Sequence, residues 1–149
     1  MKKQFVTHEI ALKLKELGFD EKCFGYYGNK YGEVELFSEF VLDHSKNIFY
    51  TQSRTETSAP LWQQVIDFFR EMYCIFIEIK VGDYFDTLEE SYPYYATCKV
   101  FKNEEIDGTA LIRDEQDNYI FYSYYEARKQ AILKAIELCQ KKKLLKAID

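Results

Sequence analysis

In residues 61–73, "LWQQVIDFFREMY", apolar side chains recur every three or four positions. On a helical wheel Leu61, Trp62, Val65, Ile66, Phe68, Phe69, Met72 and Tyr73 fall in an arc of roughly 160°. Gln63, Gln64, Asp67, Arg70 and Glu71 fill the other side. The spacing predicts an amphipathic helix lying on a sheet. Ser58, Ala59 and Pro60 mark its start, since Pro is tolerated in a first helical turn. The period then changes to two. In "CIFIEIK", Ile75, Ile77 and Ile79 alternate with Phe76, Glu78 and Lys80, the pattern of a half-buried strand. "YYATCKVF" alternates too, with Tyr94, Ala96, Cys98 and Val100 on one face, and "GTALIR" and "NYIFYS" predict a hairpin around "DEQDN".

Before this region, Thr7 is placed to cap a first helix running through Leu17, with Ile10, Leu14 and Leu17 on one stripe and Gly18 as the stop. Strands are expected at 23–27 and 33–37 around the turn "GNKYG", and at 39–42 and 48–50 around "DHSKN". The polar stretch "TQSRTETS", 51–58, lacks periodicity and reads as a loop. At the other end Ser123 and Glu126 form an S-x-x-E capping box, so a last helix starts at Tyr124. Its apolar face comprises Tyr124, Ala127, Ala131, Ile132, Ala135, Leu138 and Cys139; Glu126, Gln130, Lys134, Glu137, Gln140 and Lys141 lie opposite.

Three helices and about seven strands in this order predict an α+β fold. An antiparallel sheet packs against the second and last helices, and an N-terminal helix and hairpins are added to it. At 149 residues the chain is the size of one domain, 1–149. The polar stretch is a candidate seam between a helix with hairpins (1–57) and a helix–strands–helix half (58–149).

Composition belongs to a folded chain, 47% hydrophobic and 30% charged. The unusual figure is 17% aromatic, from 13 Tyr, 12 Phe and one Trp, which suits either a thin core or a recognition face. Cys23, Cys74, Cys98 and Cys139 are widely spaced and only two His accompany them, so no familiar zinc spacing exists. They are expected as reduced, mostly buried thiols of a cytoplasmic protein, because charges interrupt any signal-peptide core in "MKKQFVTHEIALKLKEL". No apolar run reaches membrane-spanning length.

Charge is uneven. Residues 83–117 hold ten acidic residues against Lys99, Lys102 and Arg113, whereas 128–146 hold seven basic residues against Glu137 alone. The basic residues of the last helix mostly have structural explanations. Glu137 is spaced to pair with Lys134 and Lys141, and Lys141, Lys142 and Lys143 complement the helix dipole. Arg128 is the exception, projecting within the apolar arc, placed to reach a carboxylate such as Asp114 or Asp117, or a ligand. A net charge of −5 argues against general nucleic-acid binding. The element order is similar to that of a double-stranded-RNA-binding domain, by topology alone. The rival reading is therefore an RNA- or DNA-binding module using Arg128, Lys129, Lys134, Lys141, Lys142 and Lys143.

Catalytic motifs are absent: there is no P-loop, G-x-G-x-x-G, G-x-S-x-G or H-E-x-x-H. His8 and His44 read as solvated surface residues, and no cofactor, metal or catalytic residue is assigned. The loop "GDYFDTLEESYPYY", 82–95, combines four carboxylates with five aromatics. As a contact surface for a basic partner it would use Asp83, Tyr84, Asp86, Glu89, Glu90 and Tyr92; as plain surface it needs no role. The favoured expectation is a non-enzymatic interaction protein, with a small-molecule-binding or enzymatic domain third.

Three segments, "FVTHEIALKLKELGFDEKCFGYYGNKYGE", "APLWQQVIDFFREMY" and "YYEARKQAILKAIEL", resemble uncharacterised small proteins of Bacteroides-type gut bacteria and their phages or prophages. The resemblance spans nearly the whole chain with the segments in order. It implies an intracellular, mobile-element context and carries no activity and no site residues.

Overall fold

The structure, a computed structural model, describes residues 4–27, 33–36, 57–82, 93–102, 105–113, 117 and 120–146. The elements are α1 (His8–Leu17), β1 (Gly25–Tyr27), β2 (Val34–Leu36), β3 (Thr57–Ser58), α2 (Trp62–Tyr73), β4 (Ile75–Val81), β5 (Tyr94–Lys102), β6 (Glu105–Leu111) and α3 (Tyr124–Lys146). Three helices and two antiparallel three-stranded sheets make this an α+β fold. The strands expected at 39–42 and 48–50 lie outside the described residues. The chain divides into two compact units, Met1–Val65 and Ile66–Asp149, with the boundary inside α2.

In the first unit the sheet order is β2-β1-β3. Thr7 caps α1 as its position predicts, accepting a hydrogen bond from the Ile10 N–H at 3.4 Å. Gly18 ends the helix at φ 92°, where a residue with a Cβ would be strained. Ile10, Ala11, Leu14 and Leu17 are buried. Gly25 is needed for a different reason: a Cβ there would stand 2.7 Å from the Glu35 carbonyl on β2. Thr57 and Ser58, expected in a loop, instead pair with Tyr27 and Tyr26 to form β3. Their strand is made by the neighbour's free edge, not by a pattern of their own. His8 is half-buried, its ring 4.8 Å from that of Tyr27, and not a solvated surface residue. The Tyr27 hydroxyl donates to the Val6 carbonyl.

Helix α2 begins at Trp62, two residues after Pro60. The Pro60 carbonyl accepts from the Val6 N–H at 3.0 Å, and Leu61 is the cap. Gln64, three residues on, reaches back to accept from the Leu61 N–H at 2.9 Å, which is the returning half of a capping box. Trp62, Val65, Phe68 and Phe69 are buried, as the wheel requires. Met72, within the predicted arc but in the last turn of the helix, is 69% exposed. Cys74 then reverses the chain in the left-handed region at φ 54°.

In the second unit the order is β4-β5-β6, and α3 packs on β4 and β5. Residue pairs from Ile75↔Val100 to Val81↔Tyr94 join β4 to β5. Between β5 and β6 the register slips at Val100/Phe101, where Asp107 is the extra residue of a bulge. Among the described residues the expected hairpin between 108–113 and 118–123 does not form. Residues 105–111 pair with β5, and Phe121 forms a bridge with Tyr94 of β5, with N–H···O distances of 2.7 and 3.0 Å. Alternation identified both segments as extended but carries no information about partner choice.

Helix α3 starts at Tyr124, the Ser123 carbonyl accepting from the Ala127 N–H. Ala127, Ala131, Ile132, Ala135 and Cys139 are buried, and so is Ile136, which the wheel reading left out. Leu138 is half-buried and Tyr124 is 46% exposed, so the apolar arc is narrower at its first turn than expected.

Candidate interaction surface

The Cys98 thiol donates to the Ala131 carbonyl at 3.3 Å, which fixes the face of the sheet beneath α3. Side chains directly opposite each other share a face. Ile75, Ile77, Ile79 and Val81 of β4 therefore lie with Tyr94, Ala96, Cys98 and Val100 of β5 on the helix side. Burial pushes the Cys98 thiol up to about 12, so it is an inert packing residue at neutral pH. Cys23 in the first unit is likewise pushed up to about 12, by burial and then by Glu21. Cys139 is buried and Cys74 exposed; none of the four forms a disulfide.

The other face is turned away from α3. It presents Phe76, Glu78 and Lys80 from β4, Tyr95, Thr97, Lys99 and Phe101 from β5, and Ile106, Thr109 and Leu111 from β6. Phe76 and Phe101 pack ring to ring at 4.7 Å. Phe76 is 38%, Ile106 56% and Leu111 43% exposed. Between these apolar groups runs a short ionic row. Lys99 Nζ lies 2.7 Å from Glu78 Oε1 and Lys80 Nζ lies 3.4 Å from Oε2. The hydrogen bond from Lys99 holds the Glu78 carboxyl below the usual carboxylate range.

A second cluster stands where the sheet meets the start of α3. Tyr94 and Tyr124 meet edge to face at 5.8 Å, and the Arg128 guanidinium lies 5.3 Å from the centre of the Tyr124 ring. Arg128 thus stacks on a tyrosine rather than reaching Asp117. That carboxylate is taken by Arg113 at 3.1 Å, and Asp114 lies outside the described residues. Burial lowers the Arg128 pKa from its ordinary value, yet a guanidinium remains charged.

The residues proposed for a basic nucleic-acid surface are not left as a free cationic row. Lys134 and Lys141 both bind the Glu137 carboxylate, Lys134 at 2.8 Å, and together they hold its pKa below the ordinary range. Lys129 is half-buried and Lys142 exposed; the Lys143 side chain lies outside the described residues. The acidic contact set Asp83, Tyr84, Asp86, Glu89, Glu90 and Tyr92 also lies outside them. Alternation sets Phe76 apart from the isoleucines of β4 and Phe101 apart from Cys98 and Val100 of β5, but it gives neither the register that joins the two Phe on one face nor which side a helix covers.

No group of His, Cys, Asp or Glu among the described residues is placed to hold a metal ion. No described helix is long and apolar enough to cross a membrane. No family model, curated protein or solved structure matches the chain.

Proposed function

We propose that this chain is a non-enzymatic interaction protein that binds a protein partner through the face of β4, β5 and β6 turned away from α3. The observation that carries this reading is the exposure of Phe76, Ile106 and Leu111 beside Phe101 on one side of a single sheet. Apolar groups gathered on an exposed face, interrupted by charges that set orientation, are the composition of a protein contact. The resemblance to phage and prophage proteins of gut bacteria supports an accessory, host-modulating role in the cytoplasm. The nucleic-acid alternative has weaker support, because Glu137 already engages two of its lysines.

Photo-crosslinking tests the proposal. A photoreactive residue in place of Ile106 should give one discrete protein adduct in expressing cells, while one in place of Leu12 on α1 (43% exposed) should not. Adding Phe76→Ser to the first should abolish the adduct. An identical adduct pattern from both positions, or none from position 106, would overturn the assignment.

A further inference from the structure

The edge of β4 carries an inference that does not depend on the proposed use of the sheet face. Gly82 donates to the Pro93 carbonyl at 2.8 Å, and Phe101 donates to the Cys74 carbonyl at 2.9 Å. With the register of β4 on β5, the alternation of an antiparallel ladder makes Phe76, Glu78 and Lys80 the residues bonded to β5. Ile75, Ile77, Ile79 and Val81 therefore direct their N–H and C=O groups away from it. β4 ends the sheet order, so no described strand receives them. The edge is seven residues long, with no proline and no bulge in its pairing to β5. Ile77 and Ile79 are only half-buried although they face the helix side, and Val81 is 56% exposed. Edges of this kind are usually shortened, bulged or covered.

We infer that β4 pairs antiparallel with β4 of a second copy about a two-fold axis through Ile79, giving a continuous six-stranded sheet. Among the two-fold registers, this one is selected by charge. Outward-bonding residues must face each other, so the centre falls on Ile77 or Ile79 when it is a hydrogen-bonded pair. A centre on Glu78 or Lys80 sets like charges directly opposite, which is unfavourable. Centring on Ile77 places Glu78 against Phe76 and leaves Lys80 without an acidic partner. Centring on Ile79 places Glu78 of each copy opposite Lys80 of the other, twice over. On the helix side it sets Ile79 against Ile79 and Ile77 against Val81, joining the half-exposed apolar rim of the two sheets. Lys80 is available for this exchange, since its ion pair with Glu78 within one chain is long, at 3.4 Å, and its side chain is 70% exposed. Glu78 keeps Lys99 on Oε1 at 2.7 Å and offers Oε2, which accepts no hydrogen bond within the chain.

Charge exchange at these two positions is a test specific to the register. Wild type should show a reversible monomer–dimer equilibrium in analytical ultracentrifugation of the full chain. Glu78→Lys presents two lysines to two lysines, and Lys80→Glu two glutamates to two glutamates. Each should weaken self-association about tenfold or more. An equimolar mixture of the two variants restores both opposite-charge pairs. It should therefore form a heterodimer, read by native mass spectrometry, with affinity close to that of wild type. Thermal unfolding of each variant alone establishes that both fold. A wild type that stays monomeric at every concentration overturns the proposal. So does a dimer insensitive to both changes, or a mixture that associates no better than its components.

Discussion

Helices α2 and α3 both bury one face, but they do it with opposite materials. α2 uses Trp62, Val65, Phe68 and Phe69, and the two Phe rings meet each other and Tyr73 at 5.5–6.2 Å. α3 uses Ala127, Ala131, Ala135 and Cys139, with Ile132 and Ile136 between them, over Ala96 and Cys98 on β5. Small side chains on both sides let the α3 backbone come close enough for a β5 thiol to bond the Ala131 carbonyl. One helix fills its buried face with bulk, and the other is drawn close to its sheet by the lack of it. The first loses stability when volume is removed, and the second when anything is added.

The largest expected effect is at the close contact. Ala131→Asp places a carboxylate where Ala131 is 0% exposed and the β5 residue bonded to its carbonyl is Cys98. The cost should be about 4 kcal/mol or more, since a buried charge without a partner is among the few changes that severe. A chemical-denaturation midpoint near that of wild type would show that α3 does not lie on the sheet by this face.

Removing volume should matter most in α2. Phe69→Ala, at a fully buried ring, should cost about 3–5 kcal/mol. Ala131→Leu is the converse experiment and should cost about 1–3 kcal/mol through overpacking. If Ala131→Leu were neutral and Phe69→Ala cheap, the contrast between the two helices would be void.

These elements were legible in the sequence because their information is local. The caps at Thr7 and Gly18, the arc containing Phe69, the alternation of β4 and β5 and the start of α3 each follow from residues within a turn or two. What was not legible depends on distant neighbours. Thr57 and Ser58 are a strand only because β1 offers an edge, and Phe121 pairs with Tyr94 rather than with 108–113. Met72 and Tyr124 obey their wheels yet are exposed, each in an end turn of its helix. The candidate surface was half visible. Alternation puts Phe76 opposite the isoleucines of β4, but only the placement of α3 shows which of the two faces stays open.

The charged decorations of sheet and helix should contribute less than either packing interface, and their signature is acid sensitivity. Glu78 is held by Lys99, and Glu137 by Lys134 and Lys141, so both carboxyls titrate below the ordinary range when folded. A depressed folded pKa stabilises fully above the unfolded value of about 4.3 and loses that contribution as pH falls through the folded value. The melting temperature should therefore drop as pH is lowered from about 5 towards 3. Glu78→Gln with Glu137→Gln should make that drop shallower. An unchanged acid limb would mean that these ion pairs exist without stabilising the fold, as many exposed pairs do.

The smallest effect should come from the solvent side of α3, and it separates the structural reading of that helix from its rival. Lys141 is exposed and paired with Glu137, and Lys142 is exposed. Replacing both with Gln should change stability by no more than about 0.3–1 kcal/mol, the scale of cations near a helix end. A nucleic-acid surface makes a different demand on the same variant. Phosphate contacts release counterions, so wild-type affinity would fall steeply with salt, and loss of two contacts would flatten that slope by nearly two. Anisotropy titrations with duplex RNA, single-stranded RNA and DNA at low salt read both quantities. With Glu137 neutralising its neighbours and a chain carrying net charge −5, the expected result is no salt-dependent binding for either protein. Micromolar binding that weakens with salt and disappears in the Gln variant would reassign α3 from the lid of a small-residue core to a cationic contact.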